Sequence, residues 1–293
     1  MNVLLDLIKS LRPRQWTKNI LVFAGLLFAQ KAASPGAVLE AVEAFFVFSL
    51  LAGGTYLIND ALDVERDRLD PVKCQRPMAA GRMSVRFGIA AAIIIIILSL
   101  LGAYHAAGLG LLKICLAYLL ITLSYSAFFK HVVIMDVFAI ASGFVLRAVA
   151  GAVAVQAEIS PWLIICTMLL ALFLALAKRR GEITTLGDEA SNHRAILAEY
   201  SPALLDQMIS VMTASTLMSY ALYTISDRTV HLVGSTNMLY TVPFVIYGIF
   251  RYLYLIHQKG AGGHPERVLL SDWPMMLNLL LYGGAVGVIL YLR

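Results

Sequence analysis

The sequence predicts an all-α polytopic membrane protein of nine transmembrane helices, and three observations lead there. Hydrophobic residues make up 60% of the 293 and charged residues 14%, against roughly half and about a quarter in an ordinary soluble domain. Apolar runs such as 89–101 (IAAAIIIIILSLL) continue without a break, whereas the strands of a β-barrel alternate lipid-facing and lumen-facing residues. The lysines and arginines gather in every second connection between such runs. A soluble globule, a disordered chain and a coiled coil are excluded by the same composition.

A helix needs about 20 apolar residues to cross the hydrocarbon core. Nine candidate spans follow, near 17–33, 38–60, 86–106, 109–127, 132–155, 160–177, 203–225, 237–257 and 273–292. The first is short and carries Lys18 and Lys31 near its ends; the second runs directly into a set of acids. The third and fourth are separated only by a short connection around residue 107, and the fifth contains Arg147. The sixth ends on Lys178-Arg179-Arg180-Gly181-Glu182. No soluble domain fits between spans, so residues 1–293 read as one transmembrane domain. Asp6 interrupts the first apolar stretch, with Arg12, Arg14 and Lys18 where a cleavage site would belong, which argues against a signal peptide. The 3 cysteines and 6 histidines show no metal-site spacing.

Eighteen of the 23 lysines and arginines fall on one side of this alternating topology; only Lys31, Arg228 and Arg293 fall on the other. The positive-inside rule then places the N-terminus in the cytoplasm and the C-terminus outside, in a bacterial-type inner (plasma) membrane. The longer connections, after spans two, six and eight, lie on the cytoplasmic side and hold nearly all the acids, amides and bases. The active site is expected there. The basic excess is explained by topology and phosphate ligands, so nucleic acid is not indicated.

The most informative stretch is 57–81, LINDALDVERDRLDPVKCQRPMAAG. If the second helix continues through it, Asn59, Asp63 and Asp67 stand at i, i+4 and i+8 on one face, with Asp60 beside them. Such oxygens repel one another unless a cation sits among them, and hard oxygen ligands suit Mg²⁺ bridging carboxylates to phosphates. The plainer alternative is a solvated helix end in which Asp63, Glu65 and Asp67 pair with Arg66, Arg68 and Lys73. Acids at a membrane boundary are costly and usually functional, which favours the metal. Lys73, Arg76 and Arg82 follow directly, as a diphosphate would require.

A second polar locus runs from Tyr125 through Lys130 to Asp136 and, along the next helix, Arg147. Asp136 and Arg147 share a face about 16 Å apart along the axis. An arginine that deep needs a polar partner, a watery cavity or the carbonyls of a neighbouring helix. Gly143, Ala148, Gly151 and Ala152 read as close packing within or between subunits, and a homo-oligomer is left open. The 178–182 cluster is either a headgroup anchor or a phosphate site. In the opening segment LRPRQWTKN, Trp16 suits an interface belt while Lys18 and Asn19 could point inward.

On these residues the chain resembles the UbiA-type intramembrane prenyltransferase superfamily. The carriers are the Arg-Pro-x-x-Trp start and the Asn59-Asp-x-x-Asp63-x-x-x-Asp67 motif. Within it the chain is similar to the decaprenyl-phosphate phosphoribosyltransferase branch, through RPRQWTKN, the whole of 59–81, the Lys130/Asp136/Arg147 segment, KRRGE and PERVLLSDWP. The resemblance implies a helical bundle around a central cavity open to the cytoplasmic side. It further implies Mg²⁺ held by Asn59, Asp60, Asp63 and Asp67, with Asp63, Asp67 and Asp136 as catalytic residues. Lys18, Arg76, Tyr125, Lys130, Arg147, Lys178 and Arg179 would bind substrate. The second DxxxD pair usual in the superfamily is missing, since Ile140 stands four residues after Asp136, and Asp70 stands where a histidine is expected.

For that branch the resemblance implies phosphoribosyl diphosphate as donor and a polyprenyl phosphate as acceptor. The product would be polyprenyl-phosphoryl-5-phosphoribose, which feeds cell-envelope arabinan. Two alternatives stay open. One is transfer of a prenyl group from its diphosphate to an aromatic or other acceptor; the other is secondary transport, for which no internal repeat is found.

Overall fold

The computed structural model describes residues 3–186, 195–260 and 271–291, and helices are the regular elements among them. In chain order they are α1 (Val3–Ser10), α2 (Phe23–Phe28), α3 (Pro35–Leu62), α4 (Val64–Leu69), α5 (Val85–Ala127) and α6 (Met135–Ala154). There follow α7 (Pro161–Leu186), α8 (Pro202–Ile225), α9 (Asp227–Val233), α10 (Val242–Lys259) and α11 (Trp273–Tyr291). Seven helices among the described residues are long and apolar enough to cross a membrane.

Three of the nine expected spans take a different form. Those at 86–106 and 109–127 share α5, whose 43 residues would reach roughly 64 Å if straight, about twice a hydrocarbon core. Non-helical angles at Ala107 and Gly108, with Gly108 at φ 62°, break it where the two spans were expected to meet. The span expected at 17–33 is no continuous α-helix. Residues Pro13–Val22 form a 3₁₀ segment, and α2 adds only six residues. Glycine and small residues explain this thin element. A Cβ on Gly151 would lie 1.7 Å from the Val22 carbonyl oxygen, and one on Gly25 would lie 2.4 Å from the Ala152 nitrogen. Backbone meets backbone there, which is the membrane use of small residues.

The chain divides into two compact units, residues 1–129 with 142–159, and residues 130–141 with 160–293. In the first, α3 packs along α5 around Phe48, Leu51, Ile96, Leu111 and Tyr118, with the Phe48 and Tyr118 rings edge to face at 5.3 Å. Serine caps begin both helices: Ser34 accepts from the Ala37 amide ahead of Pro35, and Ser84 accepts from that of Phe87. Lys31 donates to the carbonyls of Val155 (2.7 Å) and Gln156, closing the end of α6.

In the second unit α7 packs on α8 and α10 on α11. Polar side chains hold these apolar helices together. Tyr220 bonds Thr241 at 2.7 Å and Tyr282 at 3.1 Å, and Asn278 donates to the Phe244 carbonyl. Arg251 grips Asp272 through both carboxylate oxygens, and Asp272 also caps α11 by accepting from the Met275 amide. The Arg251 bonds first, against some desolvation and with the Met275 amide adding to them, hold the Asp272 carboxyl below its ordinary range. The six residues 265–270 of the PERVLLSDWP stretch lie outside the described residues, as does Arg194.

Candidate functional site

The acids of 59–67 are carried across a break in the helix. Asp63 ends α3 with φ −99° and ψ 10° and starts α4, yet its amide still bonds the Asn59 carbonyl and its carbonyl accepts from the Asp67 amide. The four-residue spacing therefore survives. Asp60 and Asp67 are each 3% exposed, while Asn59 and Asp63 are half-buried.

Arg76 joins the two buried acids: one of its terminal nitrogens lies 3.0 Å from Asp60 Oδ1 and 2.6 Å from Asp67 Oδ2. Arg12 also pairs with Asp60 and rests over the Tyr56 ring at 4.7 Å. To do so Arg12 adopts a left-handed backbone, φ 53°, which costs a non-glycine residue about 1 kcal/mol. The plainer alternative holds for the exposed Glu65, which pairs with Arg68, while Lys73 pairs with Asp70. The interior acids use Arg12 and Arg76 instead. Among the described residues no group of three or more His, Cys, Asp or Glu has the geometry to hold a metal. The donor chemistry nevertheless fits a divalent ion that takes one or two carboxylates and leaves its other positions to water and phosphate. Two carboxylate oxygens already converge on a single cationic nitrogen.

Asp70 fixes the loop that delivers Arg76. Its Oδ1 accepts from the Val72 and Lys73 amides, each at 2.9 Å, and Lys73 Nζ lies 3.0 Å from Oδ2. Partial burial works against the charged form, but these bonds outweigh it and hold the carboxyl at about 2. A depressed pKa means stability present above the unfolded value, near 4, and lost as pH falls through about 2. Hydrogen exchange checks this. Asp70→Ala should expose the Val72 and Lys73 amides at neutral pH, whereas the native chain should lose their protection only between about pH 4 and 2.

In the same unit Arg147 is 5% exposed. It donates to Asn19 Oδ1 at 2.7 Å and to the Tyr118 hydroxyl at 2.9 Å, and lies over the Tyr118 and Phe144 rings. Asn19 in turn donates to Ser49. The partners are side chains, not the carbonyls of a neighbouring helix.

In the second unit Asp136 is fully buried. Arg179 donates to Oδ2 at 2.8 Å and the Tyr200 hydroxyl to Oδ1 at 2.8 Å, so both oxygens are engaged. Arg179, 2% exposed, also bonds Glu182 at 2.6 Å. Tyr200 accepts from the Ile134 amide. Burial first, with the Asp136 bond adding to it, pushes the Tyr200 phenol up to about 12, so it stays a donor at neutral pH. Arg180 grips Asp206. Asp136 and Arg147, expected on a common face, thus have separate partners. Lys18, Tyr125, Lys130 and Lys178 are half-buried.

Sequence reasoning passed over Arg12, Tyr118 and Tyr200. The first had a signal, since it is itself the arginine of the Arg-Pro-x-x-Trp start. The tyrosines had none: a lone aromatic in a helix, as Tyr118 is, reads as packing, and Tyr200 stands between two helical elements with no motif around it.

The model of the UbiA prenyltransferase family matches residues 19–278. The chain belongs to that family. As a UbiA family member it is a multi-pass membrane protein and an enzyme. It is 35% identical to a decaprenyl-phosphate phosphoribosyltransferase of Corynebacterium glutamicum, over 98% of this chain and 87% of that one. It is 32% identical to one of Mycolicibacterium smegmatis, over 99% and 94%. The fold is that of a UbiA homolog from Archaeoglobus fulgidus solved bound to GPP and Mg²⁺, with a TM-score of 0.72 at 21% identity, covering 97% of this chain and 99% of that one. The same homolog has been solved bound to Cd²⁺, at a TM-score of 0.69 and 20% identity, over 97% and 99%.

Proposed function

We propose that this UbiA family enzyme transfers 5-phosphoribose from phosphoribosyl diphosphate to a polyprenyl phosphate of the decaprenyl kind. The products are polyprenyl-phosphoryl-5-phosphoribose and diphosphate. Near full-length identity to enzymes named for that reaction carries the reading. It fits an acceptor that is already an anion and so needs no strong general base, in keeping with a site built from acids and arginines.

Leaving of diphosphate from ribose C1 builds negative charge on the departing group and positive charge on the ring. Asp60 and Asp67, with Asn59 and Asp63 on the same stripe, would hold Mg²⁺, the divalent ion favoured here. Bound there, the ion supplies charge neutralisation for the departing diphosphate. Arg76 is placed to exchange its hold on the two carboxylates for a hold on phosphate oxygens, since guanidinium forks match both. Asp70, by fixing the turn before Arg76, keeps that arginine within reach of the acids.

Lys18, Tyr125, Lys130 and Lys178 remain proposed substrate-binding residues, and Arg147 a cation with neutral partners suited to a phosphate. Asp136 and Arg179 act on this reading as positioning residues, because each is spent on the other inside the protein. The whole chain works as one transmembrane domain, with N-terminus and active site in the cytoplasm and a cavity that lets a soluble donor meet a lipid acceptor.

The deciding assay gives the purified enzyme polyprenyl phosphate and Mg²⁺ with either labelled phosphoribosyl diphosphate or labelled prenyl diphosphate. Label should enter lipid from the first donor and not the second, and chelation should abolish transfer. Transfer from the prenyl donor alone would make the protein a conventional prenyltransferase.

A further inference from the structure

Helix α1 is built inside out for a helix in water. Its acid Asp6 is 4% exposed, and Ser10 is buried beside it, while Val3, Leu4, Leu5 and Ile8 stand 45–61% exposed. Asp6 accepts from Arg82 Nε at 3.3 Å, and Arg82 also donates to the Gln75 carbonyl at 2.7 Å. Leu7 and Leu11 pack onto the small core of Leu57, Met78, Met83 and Ala92. The closeness of that core is visible at Gly53, where a Cβ would meet Leu11 Cδ2 at 2.8 Å.

A solvated helix turns its charges out and its aliphatic residues in. The reversed arrangement is stable where the outside is hydrocarbon. Location agrees. Arg82 lies just before α5, whose first turns already expose Phe87 and Ile89, so α1 is tethered where the apolar belt of the span-length helices begins. Lys9 and Arg14 are exposed on the same stretch, which complements anionic headgroups.

We propose that α1 is an interfacial helix, its Val3, Leu4, Leu5 and Ile8 face seated among lipid acyl chains, and that this seating positions the acid cluster through Arg12 and the Arg82 loop. The route is short. Arg12 follows α1 by two residues and pairs with Asp60; Gln75, held by Arg82, precedes Arg76, which joins Asp60 to Asp67. The seating itself is independent of the reaction, whereas its effect on turnover rests on the reading that the acid cluster is the active centre.

Full-length enzyme in nanodiscs of phosphatidylethanolamine and phosphatidylglycerol tests both parts. A spin label on Ile8→Cys, with the three native cysteines replaced, should be accessible to oxygen and shielded from a water-soluble nickel chelate. The reverse accessibility overturns the proposal. Should the cysteine-free background not fold, the triple variant Leu4→Gln/Leu5→Gln/Ile8→Gln decides alone. It should keep the unfolding temperature of the span-length helices and slow turnover about tenfold, with most of the loss recovered in nanodiscs enriched in phosphatidylglycerol. Unchanged turnover overturns the coupling. The native enzyme's turnover with phosphoribosyl diphosphate is measured first, so failure of the functional reading shows there and not in the spin-label result.

Discussion

Asp67→Asn should lower phosphoribosyl transfer on the order of 10²-fold or more while leaving the protein folded. Asp67 supplies one of the two carboxylate oxygens that meet at Arg76, and it is 3% exposed, so the amide keeps the shape and removes the charge. A divalent ion held by one carboxylate in place of two binds more weakly, and the variant should need more Mg²⁺ for half-maximal rate. Asp60→Asn should behave alike but lose stability too, because Arg12 as well as Arg76 depends on it. Titration of rate against Mg²⁺, beside thermal unfolding in detergent, checks both. Near-native turnover in Asp67→Asn, with an unchanged metal requirement, would remove the acid cluster from the mechanism.

Asp136→Ala should cost about 3 kcal/mol of stability, since losing one partner of a buried ion pair strands the other. The lower end of the usual range applies because Glu182 still pairs with Arg179. Asp136→Asn, which retains acceptor and shape, should fold and keep turnover within about tenfold of the native enzyme. Unfolding temperature and turnover measured on both variants separate two roles. A folded but inactive Asp136→Asn would make the carboxylate a participant in chemistry.

Membrane class, most span positions and the acid stripe were legible because each rests on local pattern: apolar run length, loop charge and four-residue spacing. The break between the third and fourth spans was legible for the same reason, residue 107 falling between two apolar runs. The opening segment was misread as an ordinary span because the feature that shapes it, Gly151 against the Val22 carbonyl, lies on a helix more than a hundred residues away. Asp70 had no reading from sequence, since its task is to bind the next two backbone amides and no residue-type expectation covers that. Asp136 entered as a catalytic residue through the family resemblance, and an acid buried in a membrane protein is costly. Its cost is met by Arg179 and Tyr200, whose approach only the folded chain discloses.

The 3₁₀ form of Pro13–Val22 has a consequence for how much this stretch can vary in length. Three residues per turn and about 2.0 Å per residue carry ten residues some 20 Å, and they place Trp16, Asn19 and Val22 in one row. At one end Arg12 is fastened to Asp60, and near the other Asn19 is fastened to Arg147. The segment is thus a ruler clamped at both marks: inserting or deleting one residue would turn the row by a third of a revolution and leave one clamp or the other open.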